Sequence, residues 1–356
     1  MHFAFSEQQT EFRDAVRQVL TKECTTDHLR AAFEHPAARG PRWTTLTELG
    51  VVPLTVPETH GGLGLGLVDL VLLLEEAGRV ALPEPLLETT ALAAPLLAAL
   101  DGAGAGDGAG PGALEAIAAG RVTAAVAPTS VAPTSKAQAT VAGADGADLL
   151  VLTTGTEADG DLELHLVDAT TVTVDPVSSL DPTRRLGIPR WTPTPATRVA
   201  TGPAAARAMA GTADRAATAT AAELLGLTER MITMAAEYAR ERQQFGKPIG
   251  SFQAVKHLLA GAQVRLEFAR PVVYGAAWAI DQGTPDASRA ASVAKAYASD
   301  AATEAARVSL QVHGAIGYTW ECDLQLILKR AWALAEAWGS AADHRALVLD
   351  SLVTRS

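Results

Sequence analysis

The feature that most constrains this chain is the stretch Arg240 to His257, RERQQFGKPIGSFQAVKH, which closes one amphipathic helix and opens another. Upstream of it Leu224, Leu227, Met231, Ala235 and Tyr238 recur at helical spacing, while Glu229, Arg230, Glu237 and Arg240 fall largely on other faces. Pro248 and Gly250 are expected to stop the first helix, and Ser251 to cap the second. From Ala204 onward the pattern is helical, so the chain must end in a bundle. Phe252, Val255, Leu258, Leu259, Ala262 and Leu266 are expected to line its core, with Pro271 kinking or breaking the second helix. Arg242, Gln244 and Phe245 then sit at a helix end. A guanidinium fork there suits a phosphate, because it binds two oxygens at once; a solvated Arg in a helical hairpin is the plainer alternative.

A second stretch, Gln311 to Ala331 (QVHGAIGYTWECDLQLILKRA), contains Gly314 and Gly317, which break a helix running from about Ala287. His313 alone is as compatible with a satisfied core or turn histidine as with a ligand. Lys329 and Arg330 are expected to sit in water. Lys295 to Tyr297 is assigned a packing role.

Taken together, R-x-Q-F-G-x-P-I-x-x-F-Q and, about seventy residues later, Q-x-H-G-x-x-G-Y-T-x-E resemble the acyl-CoA dehydrogenase family of flavoproteins. The family fold would be α+β: an N-terminal helical domain (1–117), a small middle β-barrel or sheet domain (118–203) and a C-terminal four-helix bundle (204–356). The residues agree with that order. Residues 6–24 have the period of a helix with a capping box from Ser6 and Gln9, and Phe12, Val16 and Leu20 share a face. The Pro/Gly-rich 53–66 reads as turns, and Leu67 to Val80 as an apolar helix ending in Glu75-Glu76-Ala77-Gly78-Arg79. Residues 101–112, DGAGAGDGAGPG, read as a mobile surface loop. Arg121 to Ala127, Leu149 to Thr153, Leu162 to Val167 and Val172 to Pro176 have the alternation of strands.

The reaction implied by the resemblance is α,β-dehydrogenation of an acyl-CoA thioester with FAD. In the family, the two motifs reach across a subunit interface to the ADP half of a neighbour's FAD; the matching residues here are Arg242, Gln244, Phe245, Gln311, His313, Gly314 and Gly317. The family's other equipment is missing. No Glu-Pro-Gly turn, Gly-Ser-Asp or covering Trp occurs in Ala125 to Val141, where Pro128 and Pro133 oppose a central strand; Trp191 is the one tryptophan of the β region. Of the two usual positions of the catalytic glutamate, one holds Trp338, whose indole cannot accept a proton at neutral pH, and the other holds Ala216 and Ala217. Glu223 is a displaced candidate base, with a structural carboxylate as the alternative; Glu336, Asp343 and Glu321 are weaker.

Retained ADP-side residues beside a lost bed and base resemble the short subunits of actinobacterial heterotetrameric acyl-CoA dehydrogenases. That likeness implies a homologous catalytic partner, or else a homo-oligomer, with an electron-transfer flavoprotein or similar acceptor. A self-sufficient homomeric enzyme and a noncatalytic scaffold of the same fold stand as alternatives. Composition excludes other classes. A net charge of −11 speaks against nucleic-acid binding, and Cys24 and Cys322, the only cysteines, offer neither a disulfide framework nor a metal site. Early charges in MHFAFSEQQTEFRDAV and the lack of an apolar run of membrane length predict a cytoplasmic protein with no membrane span.

Overall fold

The computed structural model describes residues 4–36, 40–102, 110–128 and 139–353. The chain divides into two compact units. One is made from the described residues of 1–31, 71–82 and 217–356, the other from those of 32–70 and 83–216.

The first unit contains α1 (Glu7–Glu23) and begins with the expected capping box: Ser6 Oγ accepts from the Gln9 amide, and Gln9 Oε1 accepts from the Ser6 amide. Val16 and Leu20 are buried, and Phe12 half-buried. α2 (Thr26–Glu34) starts in this unit, and α3 (Pro41–Glu48) belongs to the other. The end of α4 (Leu67–Arg79) packs backbone to backbone on α7 (Gly202–Glu241). A Cβ on Gly226 would strike the Glu75 carbonyl oxygen, and one on Gly78 the Glu223 carbonyl. Only glycine allows two helices to approach so closely.

The bundle is completed by α8 (Gln253–Asp281), α9 (Ala287–His313), α10 (Leu324–Glu336) and α11 (Ala341–Val353). α5 (Ala94–Gly102) and α6 (Gly110–Ala118) belong to the second unit. α7 to α10 alternate in direction. α7 turns into α8 through a two-residue hairpin, α8 and α9 are joined by a short turn, and Lys295 near the start of α9 bonds the carbonyl of Ala335 at the end of α10. Ala262 and Leu266 are buried as expected, and the buried stripe continues through Ala269, Val273, Ala276 and Ala277.

Four expectations need correction. Phe252, Val255, Leu258 and Leu259 are only half-buried, because the buried stripe of α8 begins a turn later, at Ala262. Pro271 lies inside an unbroken α8 on its exposed side, where water can take the carbonyl that the missing N–H leaves free. α7 ends at Glu241, ahead of both Pro248 and Gly250, because the hairpin pairing begins at Gln243. The N-cap position of α8 is Phe252, and Ser251 Oγ instead donates to the Pro248 carbonyl at 2.7 Å.

Lys329 and Arg330 are not simply solvated either. Arg330 is buried and donates to the Leu82 carbonyl at 3.1 Å, while Lys329 bonds Gln325 Oε1 at 2.6 Å and lies 4.1 Å over the Trp320 ring. The long stems of both residues cover apolar surface, which holds them down. Lys295 is fully buried, but its role is more than packing. Its Nζ donates to Ser299 Oγ (3.1 Å), Ala335 O (2.8 Å) and Gly339 O (3.0 Å), fastening α9 to the turn between α10 and α11.

The second unit holds a four-stranded sheet in the order β1 (Ala124–Val126), β2 (Leu149–Thr154), β3 (Glu163–Asp168), β6 (Arg198–Thr201). β1 and β2 are parallel, and the other neighbours antiparallel. β4 (Thr173–Pro176) and β5 (Gly187–Arg190) form a separate antiparallel pair. β1 is an edge strand of three residues, shorter than the expected Arg121 to Ala127, and it ends before Pro128. Ala125, Val141, Leu150, Leu152 and Val167 make the small core of the sheet, with Trp191 packed against it. Thr89 Oγ1 accepts from the Ala124 amide and donates to its carbonyl, tying the helical part of this unit to β1.

Of the segment expected to be a mobile loop, Asp101 and Gly102 end α5 and Gly110 to Gly112 begin α6; 103–109 lie outside the described residues. So do 129–138, the middle of the stretch whose flavin-bed residues are missing from the sequence.

Candidate cofactor-contact surface

The two motifs emerge from the same end of the bundle. Ser309 Oγ of α9 donates to the Met231 carbonyl of α7 at 3.0 Å. Further along both helices, Tyr238 stacks on His313 with centroids 4.6 Å apart and rings 20° from parallel. α7 and α9 therefore run side by side with their C-terminal ends level, and each ends in a motif.

Beyond α7 the chain makes a tight hairpin, β7 (Gln243–Gln244) paired with β8 (Lys247–Pro248). Its two corner residues, Phe245 and Gly246, have φ of +52° and +75°, the mirror-image turn that suits the twist of a hairpin. Glycine adopts this conformation freely, whereas a phenylalanine there is strained. Phe245 is also 91% exposed and meets Phe252 edge-on at 6.1 Å between centroids. Lys247 Nζ sits 4.5 Å over that same Phe252 ring. Arg242 is exposed, and its guanidinium has no partner among the described residues; Gln244 is exposed and its amide rests on the Gln243 carbonyl.

At the end of α9, Gln311 is exposed and Gly314 has φ +64° and ψ −143°, which stops the helix and turns the chain. Gly317 is buried against Leu310 and His313, where a Cβ would press on the His313 side chain at 3.1 Å. His313 itself is buried, and its Nδ1–H donates to the Ser309 carbonyl at 2.8 Å. Burial pushes its pKa below the usual imidazole value, so the ring stays neutral and shapes the turn. The surface thus presents an unpaired cation, two exposed amides, an exposed aromatic ring and backbone bared by glycines. Those are groups that hold an anion and stack on a flat heterocycle.

The positions expected for a base hold none. Trp338 lies in the turn between α10 and α11 at φ +58°, its carbonyl accepting from His344 Nε2 at 2.9 Å. Ala216 and Ala217 are buried on α7. Glu223 is buried where the α7 backbone meets Gly78. Glu336 and Glu321 are exposed, and Thr319 holds Glu321 below the usual carboxylate range. Asp343 accepts from the amide and hydroxyl of Ser340, which lowers it likewise. In the second unit Trp191 meets His165 edge-on, centroids 5.0 Å apart, as a packing residue.

One cluster was missed in the sequence. Glu75 and Glu76, buried at the end of α4, anchor a network with Arg17, Arg79, Glu229, Arg270 and Tyr274. Arg17 bonds Glu76 in a fork at 2.8 and 2.5 Å, and Arg270 reaches Glu75 at 3.0 Å and Glu229 at 2.5 Å. Burial raises the Glu75 pKa despite Arg270, and the Tyr274 hydroxyl donates to it. Two acids closing an otherwise apolar helix were the available signal, since buried carboxylates need cations. Among the described residues no group of side chains could hold a metal ion, and no helix is long and apolar enough to cross a membrane.

A helical unit whose neighbouring motifs both end in exposed, anion-suited turns and a helix-and-sheet unit are together the parts of a flavin-dependent dehydrogenase. The comparisons agree. Residues 6–100 match the acyl-CoA dehydrogenase N-terminal domain, and residues 206–353 the acyl-CoA dehydrogenase C-terminal domain. The chain is 33% identical over 338 residues to acyl-CoA dehydrogenase IpdE2 of Mycolicibacterium smegmatis, spanning 94% of this chain and 95% of that protein. It is 34% identical over 334 residues to IpdE2 of Mycobacterium tuberculosis, 93% of this chain and 92% of the relative. Among solved structures, the Tcur3481–Tcur3483 steroid ACAD G363A variant superimposes with a TM-score of 0.82 at 28% identity, covering 98% of both chains. The chain belongs to the acyl-CoA dehydrogenase family.

Proposed function

We propose that this chain is a subunit of a heteromeric FAD-dependent acyl-CoA dehydrogenase, and that it completes the FAD site of a homologous catalytic partner across their interface. The observation that carries this reading is the pairing of an exposed, unpartnered Arg242 on its hairpin with Trp338 where a catalytic glutamate belongs. Arg242, Gln244 and Gln311 would hold the pyrophosphate side of FAD, Phe245 would lie against its adenine, and Gly314 would let the backbone approach. When bound, FAD takes up the hydride from the β carbon of an acyl-CoA thioester. The acid–base part then falls to the partner, since no carboxylate of this chain at the expected positions is set up to accept the α proton.

The surface of the bundle supports the partner. Phe268, Tyr318 and Trp320 are 67%, 78% and 64% exposed, large rings that a covering chain would take out of water. α8, α9 and α11 also leave a groove of about 600 Å3 lined by Phe268, Tyr297, Val348, Arg265, Asp300 and Arg345. The two-component name of the Tcur3481–Tcur3483 structure is in keeping with such an assembly.

The test is the visible absorption spectrum of the chain purified alone and again after co-expression with a longer, glutamate-bearing relative. The expected result is a colourless chain alone and a flavin band only in the complex. One FAD per chain in the isolated protein would overturn the reading in favour of a homomeric enzyme. In that event Glu223→Gln decides whether Glu223 is the base: unchanged turnover removes it.

A further inference from the structure

A cavity of about 280 Å3 lies within the first unit, walled by α1, α2, α4, α7 and α10. Its lining includes Thr21, Cys24, Thr26, Arg79, Arg230 and Asp323. Around it, the charges are matched with one exception. Arg79 is taken by Glu76 and Glu229, Arg270 by Glu75, Glu229 and Glu267, and Arg17 by Glu76. Asp323, the carboxylate of the wall, is held by Arg30 through two guanidinium nitrogens. Arg230 is half-buried and pairs with no acid among the described residues, although Glu229 adjoins it in sequence.

A guanidinium removed from most of its water and given no carboxylate is costly unless the cavity supplies an anion. We infer that the cavity is a binding site for a small phosphate-class oxyanion, with Arg230 as its principal ligand and the Thr21 and Thr26 hydroxyls as further donors. The size fits that class. At about 30 Å3 per water the space holds roughly nine waters, enough for a hydrated phosphate. It falls below the range of about 300–1,000 Å3 usual for drug-sized ligands. A planar fork reads two oxygens of such an anion, and hydroxyls can donate to the others. This inference does not depend on the proposed function above.

The experiment is thermal unfolding of the full chain titrated with inorganic phosphate, and separately with glycerol 2-phosphate, against chloride at equal ionic strength. Native protein is expected to show a saturable rise in Tm with phosphate that chloride does not give, and Arg230→Gln to abolish it while leaving Tm in chloride unchanged. Cys24 in the cavity wall provides a second readout: saturating phosphate is expected to slow its alkylation by iodoacetamide several-fold in native protein and not in R230Q. A response to inorganic phosphate alone would identify the free ion as ligand, and an equal or stronger response to the ester would identify a phosphomonoester. No phosphate-specific rise in native protein, or a rise that survives in R230Q, would overturn the assignment.

Discussion

Arg242 stands in water and pairs with no acid among the described residues, so replacing it should leave this chain's own stability untouched and weaken only what it contacts. A charge-assisted contact contributes about 1.5–3 kcal/mol. Arg242→Gln should therefore lower FAD affinity of the assembled complex by roughly 10- to 150-fold, read as flavin retained on dilution, with Tm of the isolated chain unchanged. Loss of Tm instead would show Arg242 to be structural. His165, His313 and His344 predict a pH response. Burial holds all three below their ordinary value of 6.5, so each is neutral in the folded chain. As pH falls below 6.5 the unfolded chain takes up protons that the folded chain refuses, and stability present above 6.5 is lost on the way down. Glu75, raised by burial, works in the opposite direction below its own folded value. Between pH 7 and 5.5 the three histidines should prevail: Tm falls, and His313→Gln flattens the fall. A Tm that rises over that interval would contradict this. The motif residues were legible because a specific pattern marks them. The αL geometry of Phe245 and Trp338 was not, since it comes from the hairpin and from the His344 and Lys295 contacts around the turn.

At the scale of elements, local signals carried most of the fold. The Ser6–Gln9 box, the Gly314 stop and the alternating runs at 149–153 and 162–167 each depend on neighbours in sequence, and the strands formed within one residue of those bounds. What failed was decided at a distance. Phe252 and Leu259 have the right period, but burial depends on what covers the stripe. The contact of α4 with α7 was equally invisible, because glycines in a helix give no hint of the carbonyl that will press on them. It makes a strong prediction: Gly226→Ala should destabilise the chain by about 3 kcal/mol or more, the range of severe overpacking, measured by denaturant unfolding, whereas Gly211→Ala, with open space around it, should not. Lys295→Met should cost about 2–4 kcal/mol, because the Gly339 carbonyl loses its lysine donor and the buried Ala335 carbonyl keeps only a long contact from Ser299 Oγ at 3.5 Å. An unchanged midpoint would mean that α10 and α11 hold that turn without the lysine.

For the whole molecule, the family's fold and its missing parts point in one direction. The helical order, the sheet and both motif turns are present, while Trp338 stands in a strained turn where the resemblance leads one to expect the base, and the expected bed residues are absent from the sequence. The sequence pattern carried that reading because loss of a glutamate is visible one letter at a time. The identity of the acyl group is not, since a pocket is shaped by many side chains at once. The exposed rings of Phe245, Phe268, Tyr318 and Trp320 have a further consequence, for supply. A polypeptide synthesised in excess over whatever covers those rings has nowhere to put them except against other copies of itself. In the proposed heteromer its output would have to be matched to the covering chain, copy for copy. Overproduced alone, it should lose monodispersity steeply as its concentration rises, and regain it when the covering chain is supplied one for one.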